Sequence, residues 1–283
     1  MGTQLGVVAL VLVAALMHAT WNALVKAGGD KLAMQGLVAV GGAAVMLPIA
    51  LASPPPDRAA WGFLAASAVV HAGYALFLVA AYQAGDLSQV YPIARGAAPA
   101  LVAAGAWLAA GERLPPLGLA GVAIVSAGIM SLALLATPAR DGRAAPVAIA
   151  LAVAAFVGTY SVLDGMGARR TAGATTYIAW ISLLDAPPLA LALLVRRRGR
   201  LLATLAPCWR SGLAGGVMSV VAYGIVLFAM RRIPIAHVVA LRETSVIAAT
   251  AIGARWLGEP FGRPRLVAAT VVATGAALMR LAG

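Results

Sequence analysis

Long stretches of Leu, Val, Ala and Ile run along this chain, and short polar clusters interrupt them at nearly regular intervals. A helix needs about 20 consecutive apolar residues to cross a hydrocarbon core, and stretches of that length recur throughout. The pattern predicts ten helices, over 4–25, 32–52, 60–82, 87–110, 116–136, 146–164, 174–195, 209–230, 235–257 and 264–281. Gly, Pro and charge mark the breaks: KAGGDK, SPPPDR, QAGD, GERLPP, TPARDGR, RRRGR, RRIP and GEPFGRPR. No connection has room for a soluble domain, so function must be built in the membrane or at its edges.

The pattern also repeats. Thr20-Trp21-Asn22 matches Thr159-Tyr160-Ser161, Pro48 matches Pro188, and Tyr74 matches Tyr223. Arg95 matches Arg242, and Gly111-Glu112 matches Gly258-Glu259. Five matches in order, at offsets drifting only between 139 and 149, make a repeat. The halves are residues 1–137 and 146–283, with five helices each. An odd number of crossings reverses the entry of the second half. The expected architecture is therefore an all-α membrane protein of two inverted five-helix repeats, with a binding site near the midplane between them.

Composition agrees with a membrane. Of the 283 residues, 62% are hydrophobic and 11% charged, against about one quarter charged in soluble domains. The net charge of +12 sits in short loops, densest at Arg196, Arg197, Arg198 and Arg200, which suits anionic headgroups rather than nucleic acid. Arg outnumbers Lys 19 to 2 in an Ala-rich chain, which suggests a GC-rich bacterial genome and an inner-membrane location. The N-terminal MGTQLG lacks the marks of a signal peptide or a myristoylation site, so the first apolar run is expected to be retained. The single Cys208 excludes an intrachain disulfide, and nothing has metal-ligand or cofactor spacing.

Charges inside spans are costly and usually face a cavity or a partner. Arg95 and Arg242 hold equivalent places, and Glu243 follows Arg242. One reading joins Arg95 to Glu243 across the halves; the other aims an arginine at a substrate carboxylate or phosphate. In the first helix His18, Trp21 and Asn22 fall at i, i+3 and i+4 and share one face. Trp21, Tyr74, Tyr91, Tyr160 and Tyr223 lie well inside spans, away from interfacial belts. His71, three residues before Tyr74, shares its face. These residues, with Arg95, Arg242 and Glu243, are the candidate substrate-binding set. Asp164 is expected to cap its helix or pair with Arg169, and Asp185 to serve backbone freed by Pro187 and Pro188. His237 is expected at the interface, and Gly212 with Gly216 to permit close helix packing.

ATWN in the first helix, LSQVYPIARGAAP in the fourth, and the Gly-Glu turns of GERLPP and GEPFGR together resemble the drug/metabolite transporter superfamily, in its EamA-type ten-helix form. The resemblance implies export or uptake of small metabolites, often amino acids, through a cavity lined by both halves. Cationic-drug export by the same superfamily is the alternative. Small multidrug relatives carry a proton-binding glutamate eight residues before a lysine; here His18 stands eight residues before Lys26, which makes protons the candidate coupling ion. The family places both termini in the cytoplasm. Counting Arg and Lys in the loops leans the other way, seven against eleven, and the 196–210 loop alone decides it. An intramembrane enzyme is the main rival, but no HExxH or GxSxG motif is present. The assembly is expected to be a monomer or homodimer.

Overall fold

The structure is a computed structural model that describes residues 2–27, 29–84, 87–135, 145–248 and 263–282. Among these residues everything regular is helical. The first half contributes α1 (Gly2–Ala27), α2 (Lys31–Ala52), α3 (Arg58–Ala84), α4 (Leu87–Ala110) and α5 (Pro116–Leu135). The second contributes α6 (Ala145–Ala168), α7 (Ala174–Arg196), the short α8 (Leu201–Leu205), α9 (Trp209–Met230), α10 (Ile235–Arg242) and α11 (Arg263–Leu281). Seven of the described helices are long and apolar enough to cross a bilayer, and Pro116–Leu132 and Leu266–Leu281 are shorter apolar helices.

Two departures from the expected elements stand out. The 196–208 connection folds into α8, one turn of helix that the charge cluster had masked. The span expected over 235–257 tightens just after Arg242: amides of Glu243, Thr244, Val246 and Ile247 each bond a carbonyl three residues back. Such 3₁₀ bonding narrows the helix where a buried charge, Glu243, must be aimed. Residues 249–262, which include the second Gly-Glu turn, lie outside the described residues.

Local chemistry explains several helix ends. Asp30 caps α2, its Oδ1 accepting the amides of Leu32 at 3.0 Å and Ala33 at 3.1 Å. After α4, Gly111 takes a left-handed φ of 66°, and the Glu112 amide reaches back to the Ala106 carbonyl at 3.1 Å. That is the glycine-closed helix end in which a residue without Cβ is favoured. Its consequence here is functional: the turn projects Glu112 back over the bundle.

Helix packing follows the repeat. α2 packs on α7, α5 on α11 and α4 on α10, each element on its own equivalent. Other contacts between the halves come in exchanged pairs, among them α3 on α6 with α9 on α1, α4 on α6 with α10 on α1, and α2 on α9 with α7 on α3. One apolar core draws residues from both halves, including Val11, Leu64, Val125, Tyr177, Leu227 and Val272. Small residues bring the backbones together, as Gly212 and Gly216 were expected to. A Cβ on Gly216 would stand 2.7 Å from the Val38 carbonyl and 2.8 Å from the Gly42 nitrogen. Outward-facing side chains are apolar, with Leu51, Val69 and Leu108 exposed at 77, 73 and 76%. In water that surface would be unfavourable; against lipid it is the expected solution.

Candidate functional site

Buried charge gathers where the two halves meet. The Arg95 guanidinium on α4 donates from Nε to Glu243 Oε2 at 2.8 Å, and its terminal nitrogen lies 2.8 Å from Glu243 Oε1. The fork geometry of arginine suits this two-point contact. Of the two sequence readings for Arg95, the cross-repeat pair is the one the structure contains. Arg242 stands differently. One of its terminal nitrogens approaches the same Glu243 Oε1 only to 3.7 Å, and among the described residues its buried Nε and that nitrogen make no hydrogen bond. Two equivalent arginines thus share one carboxylate, and the pair leaves Arg242 with donors to spare.

Beside the arginines lies an aromatic cluster from three helices. His71 and Tyr74 come from α3, Tyr160 from α6 and Tyr223 from α9. The His71 ring is 4.2 Å from that of Tyr160 and 6.2 Å from that of Tyr223, centroid to centroid. Tyr74 meets Tyr160 edge-on at 5.7 Å. Tyr160 and Tyr223 also lie within electrostatic reach of Arg242. Aromatic walls of this kind offer apolar faces with hydroxyls at their rims.

The sequence reading missed two carboxylates of this cluster. Asp164 does not meet Arg169; it is fully buried, accepting the Tyr177 hydroxyl at Oδ1 at 2.9 Å and the Tyr223 hydroxyl at Oδ2. Arg169 instead meets Glu112 Oε1 at 2.5 Å and donates to the Met230 carbonyl at 2.8 Å. Asp185 does not serve the carbonyls freed by the prolines, since a carboxylate and a carbonyl are both acceptors. It faces His71, with Oδ2 at 2.9 Å from Nδ1, while Asp164 Oδ2 is 3.6 Å from Nε2. Neither aspartate has a counterpart in the other half, so the repeat gave no cue to them. A cue existed: Tyr160 and Asp164 lie at i and i+4 on one helix face.

The α1 candidates lie to one side of this cluster. His18 meets Trp21 edge-on at 5.2 Å, and the charges that reach it are those of Arg95 and Arg242. Asn22 donates its amide to the His18 carbonyl at 2.7 Å, so that donor serves its own helix. Trp21 packs against the Val25, Met34, Val38 and Leu193 cluster. The Tyr91 side chain lies outside the described residues. His237, in the first turn of α10, is buried close to Gly118 on α5.

Two further ion pairs tie the halves nearer the helix ends. Glu112 holds Arg169 and also accepts the Ile235 amide at 2.8 Å. Asp30 Oδ2 accepts from Arg197 Nε at 2.7 Å. Among the described residues no group of three potential ligands could hold a metal ion.

Comparison with known proteins bears on the fold and on the family. A solved structure described only as a crystal structure of protein superposes with a TM-score of 0.78 at 19% identity, covering 98% of this chain and 97% of that one. At that identity the likeness extends to the fold alone. No curated protein matched. The profile of the EamA-like transporter family matches twice, over residues 5–134 and 145–281, nearly the whole of each half. The chain, a multi-pass membrane protein, belongs to the EamA-like transporter family, which lies in the drug/metabolite transporter superfamily.

Proposed function

We propose that this transporter moves a small metabolite with an anionic group, an amino acid being the leading case, outward across a bacterial inner membrane. It does so by alternating access between two inverted five-helix halves, residues 1–137 and 146–283. The observation that carries the substrate class is Arg242. It is 3% exposed, keeps donors unshared among the described residues, and lies within electrostatic reach of Tyr160 and Tyr223 where the halves meet. A planar guanidinium with free donors in a low-dielectric site is suited to a carboxylate. His18, Trp21, Asn22, His71, Tyr74, Tyr91, Tyr160 and Tyr223 complete the candidate lining, with Arg95 and Glu243 as the pair that holds Arg242 in place.

In the inverted arrangement, the Asp30–Arg197 and Glu112–Arg169 pairs lie at opposite ends of the bundle. Each joins one half to the other, so each can close one end while the other opens.

A cationic substrate is the second reading, favoured by Asp185, whose carboxylate side chain is 27% exposed beside the aromatic cluster. A thermal-shift screen of purified protein against amino acids, nucleosides and small cationic drugs separates the two. The proposal expects an amino acid to raise the melting temperature of wild type but not of Arg242→Gln. Stabilisation by cations alone, unchanged in Arg242→Gln, would favour the second reading and reject the first.

A further inference from the structure

The arrangement around His71 has a feature that substrate recognition does not require. Its imidazole stands between two carboxylates on two other helices, 2.9 Å from Asp185 and 3.6 Å from Asp164. The helices are α3 of the first half and α6 and α7 of the second. The two carboxylates are not alike. Asp164 is fully buried and fixed by two tyrosine hydroxyls, whereas Asp185 is partly exposed and its Oδ1 has no hydrogen-bond partner among the described residues. Asp164 is thus anchored at both oxygens, whereas Asp185 is a partly exposed side chain whose Oδ1 is buried and unpartnered among the described residues.

Among the described residues, the charged and aromatic groups that face His71 enter the balance. Asp164 and Tyr160 come from α6, Asp185 from α7, Tyr223 from α9 and the charge of Arg242 from α10. Tyr177 stands behind Asp164, Tyr74 follows on α3 itself, and Arg95 on α4 is held by Glu243. Asp164, Asp185 and Glu243 set three negative charges against the two positive charges of Arg95 and Arg242. With a neutral imidazole the centre carries one uncompensated negative charge inside the membrane; with a proton on His71 the sum is zero. Uncompensated charge at that depth is costly, so the centre is neutral only when loaded.

We propose that His71, held between Asp164 and Asp185, is the site at which this protein binds one proton from one side of the membrane and releases it to the other during transport. The inference rests on the transporter reading above and adds its coupling ion. Bound, the proton makes the ring a cation paired by charge with Asp185 at 2.9 Å and Asp164 at 3.6 Å, and ties α3 to α6 and α7. Released to water through Asp185, it leaves one nitrogen bare against a carboxylate, acceptor facing acceptor, and the tie between the halves loosens. The structure thereby assigns the coupling proton to His71 and not to His18, whose charged neighbours among the described residues are Arg95 and Arg242.

The chain has three histidines, so its imidazoles can be followed individually. The protein, labelled with ¹⁵N-histidine and placed in lipid nanodiscs, is titrated by NMR from about pH 5 to 10, a window around the free imidazole value. The His→Gln variants assign the signals. His71 is expected to titrate in this window, with a midpoint displaced by about one pH unit or more in Asp185→Asn and Asp164→Asn. Asp185→Asn keeps the test decisive if the buried Asp164→Asn fails to fold. A His71 signal that never titrates, or whose midpoint ignores both aspartates, overturns the proposal, even if the variants melt lower. In vesicles that show counterflow and contain pyranine, an imposed amino-acid gradient should also drive proton movement, and net amino-acid flux without it overturns the coupling. Absence of counterflow in wild type would instead reject the amino-acid reading, and the NMR titration still decides the proton site.

Discussion

Removing the Glu243 charge should destabilise the protein more than removing that of Arg95, and the asymmetry can be worked from the geometry. Glu243 is fully buried, takes two contacts of 2.8 Å from Arg95 and a third of 3.7 Å from Arg242. Glu243→Gln therefore leaves two buried guanidiniums without their carboxylate. Arg95→Gln leaves one carboxylate that Arg242 can still partly compensate. Breaking a buried ion pair by removing one partner costs ~3–5 kcal/mol, whereas replacing both partners by apolar groups is often near neutral. We expect ~4–5 kcal/mol for Glu243→Gln, about 3 for Arg95→Gln, and about 1–2 for Arg95→Met combined with Glu243→Met, which removes the pair but still leaves Arg242 without its carboxylate. At roughly 2–4 °C per kcal/mol for a chain of this size class, Arg95→Gln should melt about 6–12 °C below wild type. The assay is a double-mutant cycle on melting temperature in one detergent, with the coupling term read from its closure. Two single substitutions that melt with wild type, or effects that add without coupling, would refute the buried pair as a structural joint.

The α2–α9 contact makes Gly216→Ala a sharp perturbation. Its Cβ would meet backbone atoms at 2.7 and 2.8 Å, which cannot move as a side chain tip can. Melting should fall by an amount equivalent to ~1–3 kcal/mol, the usual range for overpacking, and an unchanged melt would contradict the packing. At the membrane edge, the Arg197 guanidinium bonded to Asp30 holds that carboxyl below its usual value, helped by the Ala33 and Leu32 amides and despite partial burial. A depressed folded-state value means that the stabilisation is present at neutral pH and lost as pH falls below about 4. Wild type should therefore lose melting temperature on acidification that Asp30→Asn does not lose; parallel curves would count against the pair. If Glu112–Arg169 closes one end, Glu112→Gln should raise thiol labelling of cysteines introduced near Arg169 while lowering it near Asp30, and equal labelling at both ends would argue against alternating closure. On a background lacking Cys208, cysteines at 53–58 and 196–208 should be labelled from opposite faces, because they are equivalent loops of inverted halves; labelling of both from one face would contradict the inversion.

Much of the bundle was legible because hydrophobic length and repeat spacing survive in sequence. Arg95 and Glu243 could be joined in prospect because a charge at membrane depth must find a partner, and the repeat brought α4 to α10. The Gly-Glu turn was visible as a motif, while the reach of Glu112 to Arg169 and the Ile235 amide depends on the angle at which Gly111 ends α4. Asp164 and Asp185 escaped because sequence neighbours supplied plausible local roles for them, an arginine five residues on and a proline pair. Their actual partners, His71, Tyr177 and Tyr223, come from other parts of the chain, and only packing reveals them. Asn22 divides its polarity: one amide donor serves the His18 carbonyl on α1 itself, a local use that the sequence did not reveal.

Counterflow in reconstituted vesicles shows whether this protein carries amino acids and whether Arg242 receives them. Vesicles containing the purified protein are preloaded with one unlabelled L-amino acid at a time and diluted into a trace of the same compound in radiolabelled form. The account predicts transient accumulation of at least one amino acid, recovered chemically unchanged, saturable, and reduced about tenfold or more by Arg242→Gln, the scale of one lost charge-assisted contact. No accumulation of any amino acid, recovery of an altered compound, or counterflow indifferent to Arg242 would contradict it.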